Sequence, residues 1–75
     1  MDANNERSRL EFEGEVVDAN KGLFKVYVNE NLTVLCTLSG KIRTNSVKIL
    51  IGDFVTIEAS EYDMKKGRIT YRHKS

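Results

Sequence analysis

The segment Leu32-Thr33-Val34-Leu35-Cys36-Thr37-Leu38-Ser39-Gly40-Lys41-Ile42-Arg43-Thr44 decides the fold, because its period changes partway along. From Leu32 to Leu38 the side chains alternate. Leu32, Val34, Cys36 and Leu38 fall on one side, and Thr33, Leu35 and Thr37 on the other. A period of two is the pattern of a strand with one buried face. After Leu38 the alternation stops. Ser39 is suited to cap a short helical turn, from which Ile42 packs down while Lys41 and Arg43 point outward.

The residues before this segment read as two more strands. In Leu23–Val28, Phe24, Val26 and Val28 share one face and Lys25 and Tyr27 the other. Asn29-Glu30-Asn31 is a tight turn, so this strand and the next form a hairpin. Asp18-Ala19-Asn20-Lys21-Gly22 has turn chemistry, with Asn20 and Gly22 suited to positive φ. Ahead of it Leu10, Phe12, Gly14 and Val16 alternate with Glu11, Glu13 and Glu15, which predicts a strand with an acidic face. Gly14 in its middle predicts a bulge or sharp bend. Residues 1–9 are polar and lack periodicity, so a flexible tail is expected there, ahead of a single domain over residues 10–75.

Toward the C-terminus, Ile51-Gly52-Asp53 is a turn and Phe54–Ala59 a fourth strand with Val55 and Ile57 inward. Ser60–Lys66 reads as a polar connection. Gly67–His73 is a fifth strand, with Ile69 and Tyr71 on one face and Arg68, Thr70 and Arg72 on the other. Three strands, a short helical insert and two strands fit an all-β, five-stranded Greek-key barrel, the OB-fold. The competing SH3-like barrel usually lacks an insert with its own apolar anchor between strands three and four.

Composition narrows the function classes. A chain of 75 residues is one small domain. With 40% hydrophobic and 31% charged residues it is neither disordered nor collagenous. No apolar run approaches the roughly 20 residues of a membrane span. The longest, near Val47–Ile51, is interrupted by Lys48. No basic segment followed by an apolar one opens the chain, so no signal peptide and a cytoplasmic location are expected. The single cysteine, Cys36, cannot form an intramolecular disulfide, and with His73 as the one histidine a thiolate or His/Cys metal cluster is excluded.

Catalysis is not expected either. A domain of this size buries only about 60% of its unfolded surface, which leaves little room for an enclosed reaction cavity. Asp53, Glu58, Glu61 and Asp63 lack any known metal-site spacing and read as solvating carboxylates. Asp53 and Glu58, at odd separation, are expected on opposite faces. Cys36 reads as a core residue, and His73 has no evident partner. There is no nucleophile–base pair, and no cofactor is implied.

Charge points elsewhere. The net charge is +1, but residues 1–39 hold four basic against seven acidic side chains, and residues 40–75 hold eight against four. Such asymmetry suits a polyanion-facing side. Lys41, Arg43 and Lys48 lie around the insert, and Lys65, Lys66, Arg68, Arg72 and Lys74 on or near the last strand. In an OB-fold, strands two and three and the loops between strands one and two and four and five form the nucleic-acid face. Lys21 and Lys25 would sit at the first loop, and Lys65 and Lys66 on the second. Basic groups engage phosphates while rings stack on bases. Tyr71 is expected in the core beside Ile69, and Tyr62 either plugs a loop or stacks. A cold-shock-like binder of single-stranded RNA, an RNA chaperone or antiterminator, is the alternative, and a protein adaptor using the acidic strand is a third reading.

Three segments carry a resemblance. Ser39-Gly40-Lys41-Ile42-Arg43-Thr44-Asn45, Val47-Lys48-Ile49-Leu50-Ile51-Gly52-Asp53-Phe54-Val55-Thr56-Ile57-Glu58 and Tyr62-Asp63-Met64-Lys65-Lys66-Gly67-Arg68-Ile69-Thr70-Tyr71-Arg72 occur in this order. Together they resemble the bacterial translation initiation factor 1 family over about Leu10 to Arg72. The resemblance implies a monomeric OB-fold that occupies the A site of the small ribosomal subunit. There it contacts the decoding-region ribosomal RNA and a neighbouring ribosomal protein, blocks premature tRNA entry and cooperates with the other two initiation factors. The implied RNA-contact positions are Lys41, Arg43, Lys48, Lys66, Arg68 and Arg72, with Lys21, Lys25, Tyr62, Lys65 and Lys74 as further candidates. Two positions depart from the family pattern: Thr44 stands where a basic residue is common, and Thr37 where a histidine is common.

Overall fold

The computed structural model describes residues 9–73. The alternating segments become five strands, β1 (Arg9–Asn20), β2 (Leu23–Asn29), β3 (Leu32–Leu38), β4 (Phe54–Ser60) and β5 (Asp63–His73). One helical turn, α1 (Gly40–Thr44), is inserted between β3 and β4. The sheet closes in the order β1-β2-β3-β5-β4, with β4 returning to β1. All pairings are antiparallel except β3 with β5. This is the expected OB-fold barrel.

The inward residues of each strand meet inside it. Val16, Val26, Val34, Cys36, Val55, Ile57 and Ile69 are fully buried, six of the seven being β-branched side chains that suit a pleated surface. Ile42 of α1 and Ile49 are buried as well. Burial pushes the Cys36 thiol up from 9.0 to about 12. The folded protein therefore keeps the thiol protonated at pH 8, and alkylating reagents are expected to modify it only after unfolding. The unfolded chain ionises near pH 9 and the folded one does not, so stability is full below pH 9 and falls as pH rises toward 12. Alkylation rates against urea, and melting curves at pH 8 and pH 10.5, check both statements.

β1 pairs with β4 through Arg9–Glu15 and with β2 through Glu15–Asn20. Where it changes neighbours, Gly14 lies so close to β2 that a Cβ would collide with the Tyr27 carbonyl and sit 2.7 Å from Val26 Cγ1. Of the bulge or sharp bend expected at Gly14, the bulge is not there, since its pairing with Val55 is regular; it falls at Val17, between Val16 and Asp18. The β1–β2 turn is also tighter than expected. Asn20 ends β1 opposite Leu23, and the two positive-φ residues are Lys21 (54°) and Gly22 (81°), as a two-residue hairpin turn requires. Arg9 already belongs to β1. Of the tail expected over residues 1–9, only Arg9 is described, and the rest lies outside the described residues.

Two further expectations are corrected, both by extra residues on β5. The polar connection Ser60–Lys66 shrinks to a turn at Glu61 and Tyr62. Ser60 pairs with Asp63 and Ala59 with Gly67, so Met64, Lys65 and Lys66 bulge from one continuous strand. Tyr71 is not in the core but 59% exposed. Ile57 pairs with Ile69 while Thr56 pairs with Tyr71. β5 takes two steps for one of β4, and the inserted Thr70 reverses which side Tyr71 faces.

Candidate nucleic-acid interface

α1 has only five residues, so its position depends on its attachments. The Ile42 N–H donates to Ser39 Oγ at 3.3 Å, capping the turn, and the Ser39 N–H donates to the Ile69 carbonyl at 3.0 Å. Ile42 is anchored below, which leaves Lys41 and Arg43 exposed. The turn ends at Ser46 in the left-handed region (φ 56°). Val47 is half-buried, Lys48 exposed and Ile49 buried, so the core holds Lys48 outward. Arg72 Nη1 donates to the Lys48 carbonyl at 2.7 Å and ties this segment to β5.

The result is an open cleft of about 750 Å³ between α1, the segment after it and the end of β5. Lys41, Lys48 and Arg72 line it together with Tyr71 and His73. His73 does have partners. Its Nε2 lies 2.7 Å from Thr56 Oγ1 and 3.8 Å from Glu13 Oε2, and its ring meets Tyr71 edge-on at 5.0 Å.

A second depression, about 310 Å³, holds Lys66 and Arg68 with Arg9 and Glu58. Arg9 Nη1 lies 3.6 Å from Glu58 Oε1. Arg68 sits between Thr37 of β3 and Glu58 of β4. Arg9 is a member of this group that the expected tail conceals. The signal for it is parity, since Arg9 continues the outward series Glu11, Glu13 and Glu15.

The remaining candidates do not join either depression. Arg43 is exposed on α1. Lys25 lies opposite Leu35, which lies opposite Lys66, so these form one row across β2, β3 and β5. Lys21 is at the β1–β2 turn, and Lys65 is exposed on the β5 bulge, on a strand and not in a loop. Tyr62 is 81% exposed at the β4–β5 turn and plugs nothing. Lys74 lies outside the described residues.

This arrangement suits docking of phosphates and rings. β5 carries cations to both depressions, from Lys66 to Arg72, about 20 Å of strand at roughly 3.3 Å per residue. The carboxylates serve the fold. Asp53 Oδ2 accepts from the Leu50 N–H at 2.8 Å in the turn before β4, not on it, and Glu58 holds Arg9. Among the described residues no group of three His, Cys, Asp or Glu side chains is placed to hold a metal, and no helix is long and apolar enough to cross a membrane.

A family model described as "Translation initiation factor 1A / IF-1" matches residues 3–75. Among solved structures, the translation initiation factor IF-1 from the Wolbachia endosymbiont strain TRS of Brugia malayi is similar, with a TM-score of 0.75 and 36% identity over 92% of this chain and 83% of that one. YloQ, a circularly permuted GTPase, superposes with a TM-score of 0.74 at 24% identity, a likeness of fold. YjeQ from Thermotoga maritima superposes with 0.70 at 29% identity. In both, 87% of this chain matches 23% of the other.

Proposed function

Because the chain belongs to the translation initiation factor 1A / IF-1 family, we propose that it binds the small ribosomal subunit at the A site and acts there, in the cytoplasm, by occupancy. The cleft that gathers Lys41, Lys48 and Arg72 around Tyr71 and His73 carries this reading. Ribosomal RNA is a polyanion, so clustered cations speed and strengthen docking. Arg43, Lys66 and Arg68 extend the cationic surface beyond the cleft. Unstacked bases of an RNA helix can be held out by rings and guanidinium planes, and Tyr71 is exposed at the place where they would arrive. Binding energy then keeps tRNA out of the site without any bond being made or broken. Cooperation with the other two initiation factors and contact with a neighbouring ribosomal protein complete the proposal.

The alternative, a free binder of single strands, needs stacking rings on β2 and β3. Their outward side chains are Leu23, Lys25, Tyr27, Thr33, Leu35 and Thr37, with one ring among them. Co-sedimentation with small subunits at 50 and 200 mM salt, together with chemical footprinting, tests the choice. Salt-sensitive binding with protection of the decoding region is expected. Binding to an unstructured oligonucleotide as tight as to the subunit would favour the alternative, and an unprotected decoding region would refute the A-site reading.

A further inference from the structure

A second surface combines rings with carboxylates instead of cations. Across the barrel wall, Tyr27 of β2 pairs with Glu15 of β1, and Glu15 pairs with Phe54 of β4. The two rings are 44% and 55% exposed, and the half-buried Glu15 between them has no ion-pair partner among the described residues. Glu13, on the same face two residues earlier, has a side chain 76% exposed. Beside this row stands an apolar knob, Leu50 and Ile51, 53% and 62% exposed. The knob is rigidly held. The Gly52 N–H donates to the Val16 carbonyl at 2.7 Å, the Val16 N–H donates to the Asp53 carbonyl at 2.9 Å, and Asp53 closes the turn onto Leu50 through both its N–H and its carboxylate.

Exposed apolar groups gathered on one face mark an interaction surface, and a pre-ordered turn loses little freedom on binding. The carboxylates decide the partner. They repel phosphates, so this band is not a continuation of the cationic cleft, which it meets at His73 opposite Phe54. A ring beside a carboxylate attracts a guanidinium or ammonium group through the ring face and the ion pair together. The Leu50–Ile51 knob requires an aliphatic counterpart. We infer that this band docks a cationic protein segment in which arginine or lysine side chains are interleaved with aliphatic ones. This inference does not depend on the reading of the cationic cleft.

The test is an NMR titration of the full chain with a twelve-residue peptide of three Leu-Arg-Gly-Arg repeats. Controls are the same peptide with glutamate for arginine, and a uridine dodecamer. Shifts confined to Glu13, Glu15, Tyr27, Leu50, Ile51 and Phe54 are expected with the arginine peptide alone. Phe54→Ser and Glu15→Gln are each expected to weaken that binding about tenfold, a loss of about 1.4 kcal/mol, while the spectrum elsewhere keeps its folded dispersion. Four results would overturn the inference: no response at millimolar peptide, an equal response of the band residues to the glutamate peptide, larger shifts in the band with the uridine dodecamer, or band shifts that grow with protein concentration alone and so reveal self-association.

Discussion

Gly67→Ala is expected to destabilise the barrel by about 3 kcal/mol or more, at the upper end of what overpacking costs. Gly67 lies in β5 between Cys36 of β3 and Ala59 of β4. A Cβ there would collide with the Glu58 carbonyl and sit 3.2 Å from Val34 Cγ1. The first of these is backbone in a paired strand and cannot swing aside. In a closed barrel the displaced strand has no free edge to move toward. Domains are stable by roughly 0.05–0.15 kcal/mol per residue, so the loss is a large share of the total. Gly22→Ala is the matched control. Gly22 has φ of 81° and nothing within 4 Å of its added methyl, so only the cost of the left-handed conformation applies, roughly 1–2 kcal/mol. Urea midpoints of the two variants measure the difference. A Gly67→Ala midpoint at or above that of Gly22→Ala would refute the close-approach account.

The triple replacement of Lys41, Lys48 and Arg72 by alanine is expected to lower affinity for small ribosomal subunits at least a hundredfold. Each hydrogen bond to a charged group contributes roughly 1.5–3 kcal/mol, so three lost contacts exceed the roughly 2.7 kcal/mol of a hundredfold change. The salt dependence is the sharper readout. Each phosphate contact adds about 0.7–0.9 to the slope of log affinity against log salt, so the slope should fall by about 2–3. Lys41 and Lys48 are exposed, so their loss spares the fold, while Arg72 gives up its bond to the Lys48 carbonyl, a cost of roughly 1.5–3 kcal/mol that lowers the melting temperature and leaves the variant folded. A triple variant with unchanged slope would remove the cleft from the interface. Arg72→Lys separates charge from geometry, since lysine retains the charge without the planar fork.

How far the sequence could be read depended on where the ladder is regular. β3 is found at Leu32–Leu38 as expected, because its alternation is unbroken and a tight turn fixes its start. The capped insert was legible for the same local reason, with Ser39 and Ile42 three residues apart. The start of β5 and the direction of Tyr71 were not. Both lie beyond bulges, and counting by twos carries no signal that a residue has been skipped on the partner strand. The cations were legible as types but not as a cluster. Lys41 and Arg72 are brought to one cleft by the hydrogen bond from Ser39 to Ile69, a contact between distant parts of the chain. The partners of His73 come from β1 and β4, again outside the reach of local pattern.

The parallel β3–β5 seam and the β1–β4 seam have a consequence for how the protein is made. Leu35 must find Lys66, and Arg9 must find Ser60, so neither outer edge of the β1–β3 meander has a mate until the last two strands have been synthesised. While those residues are still inside the exit tunnel, the nascent meander has two open margins, each able to recruit another polypeptide. Ring closure therefore waits until β4 and β5 have both emerged, and a product truncated before residue 54 would remain unclosed, a natural substrate for chaperones and proteases.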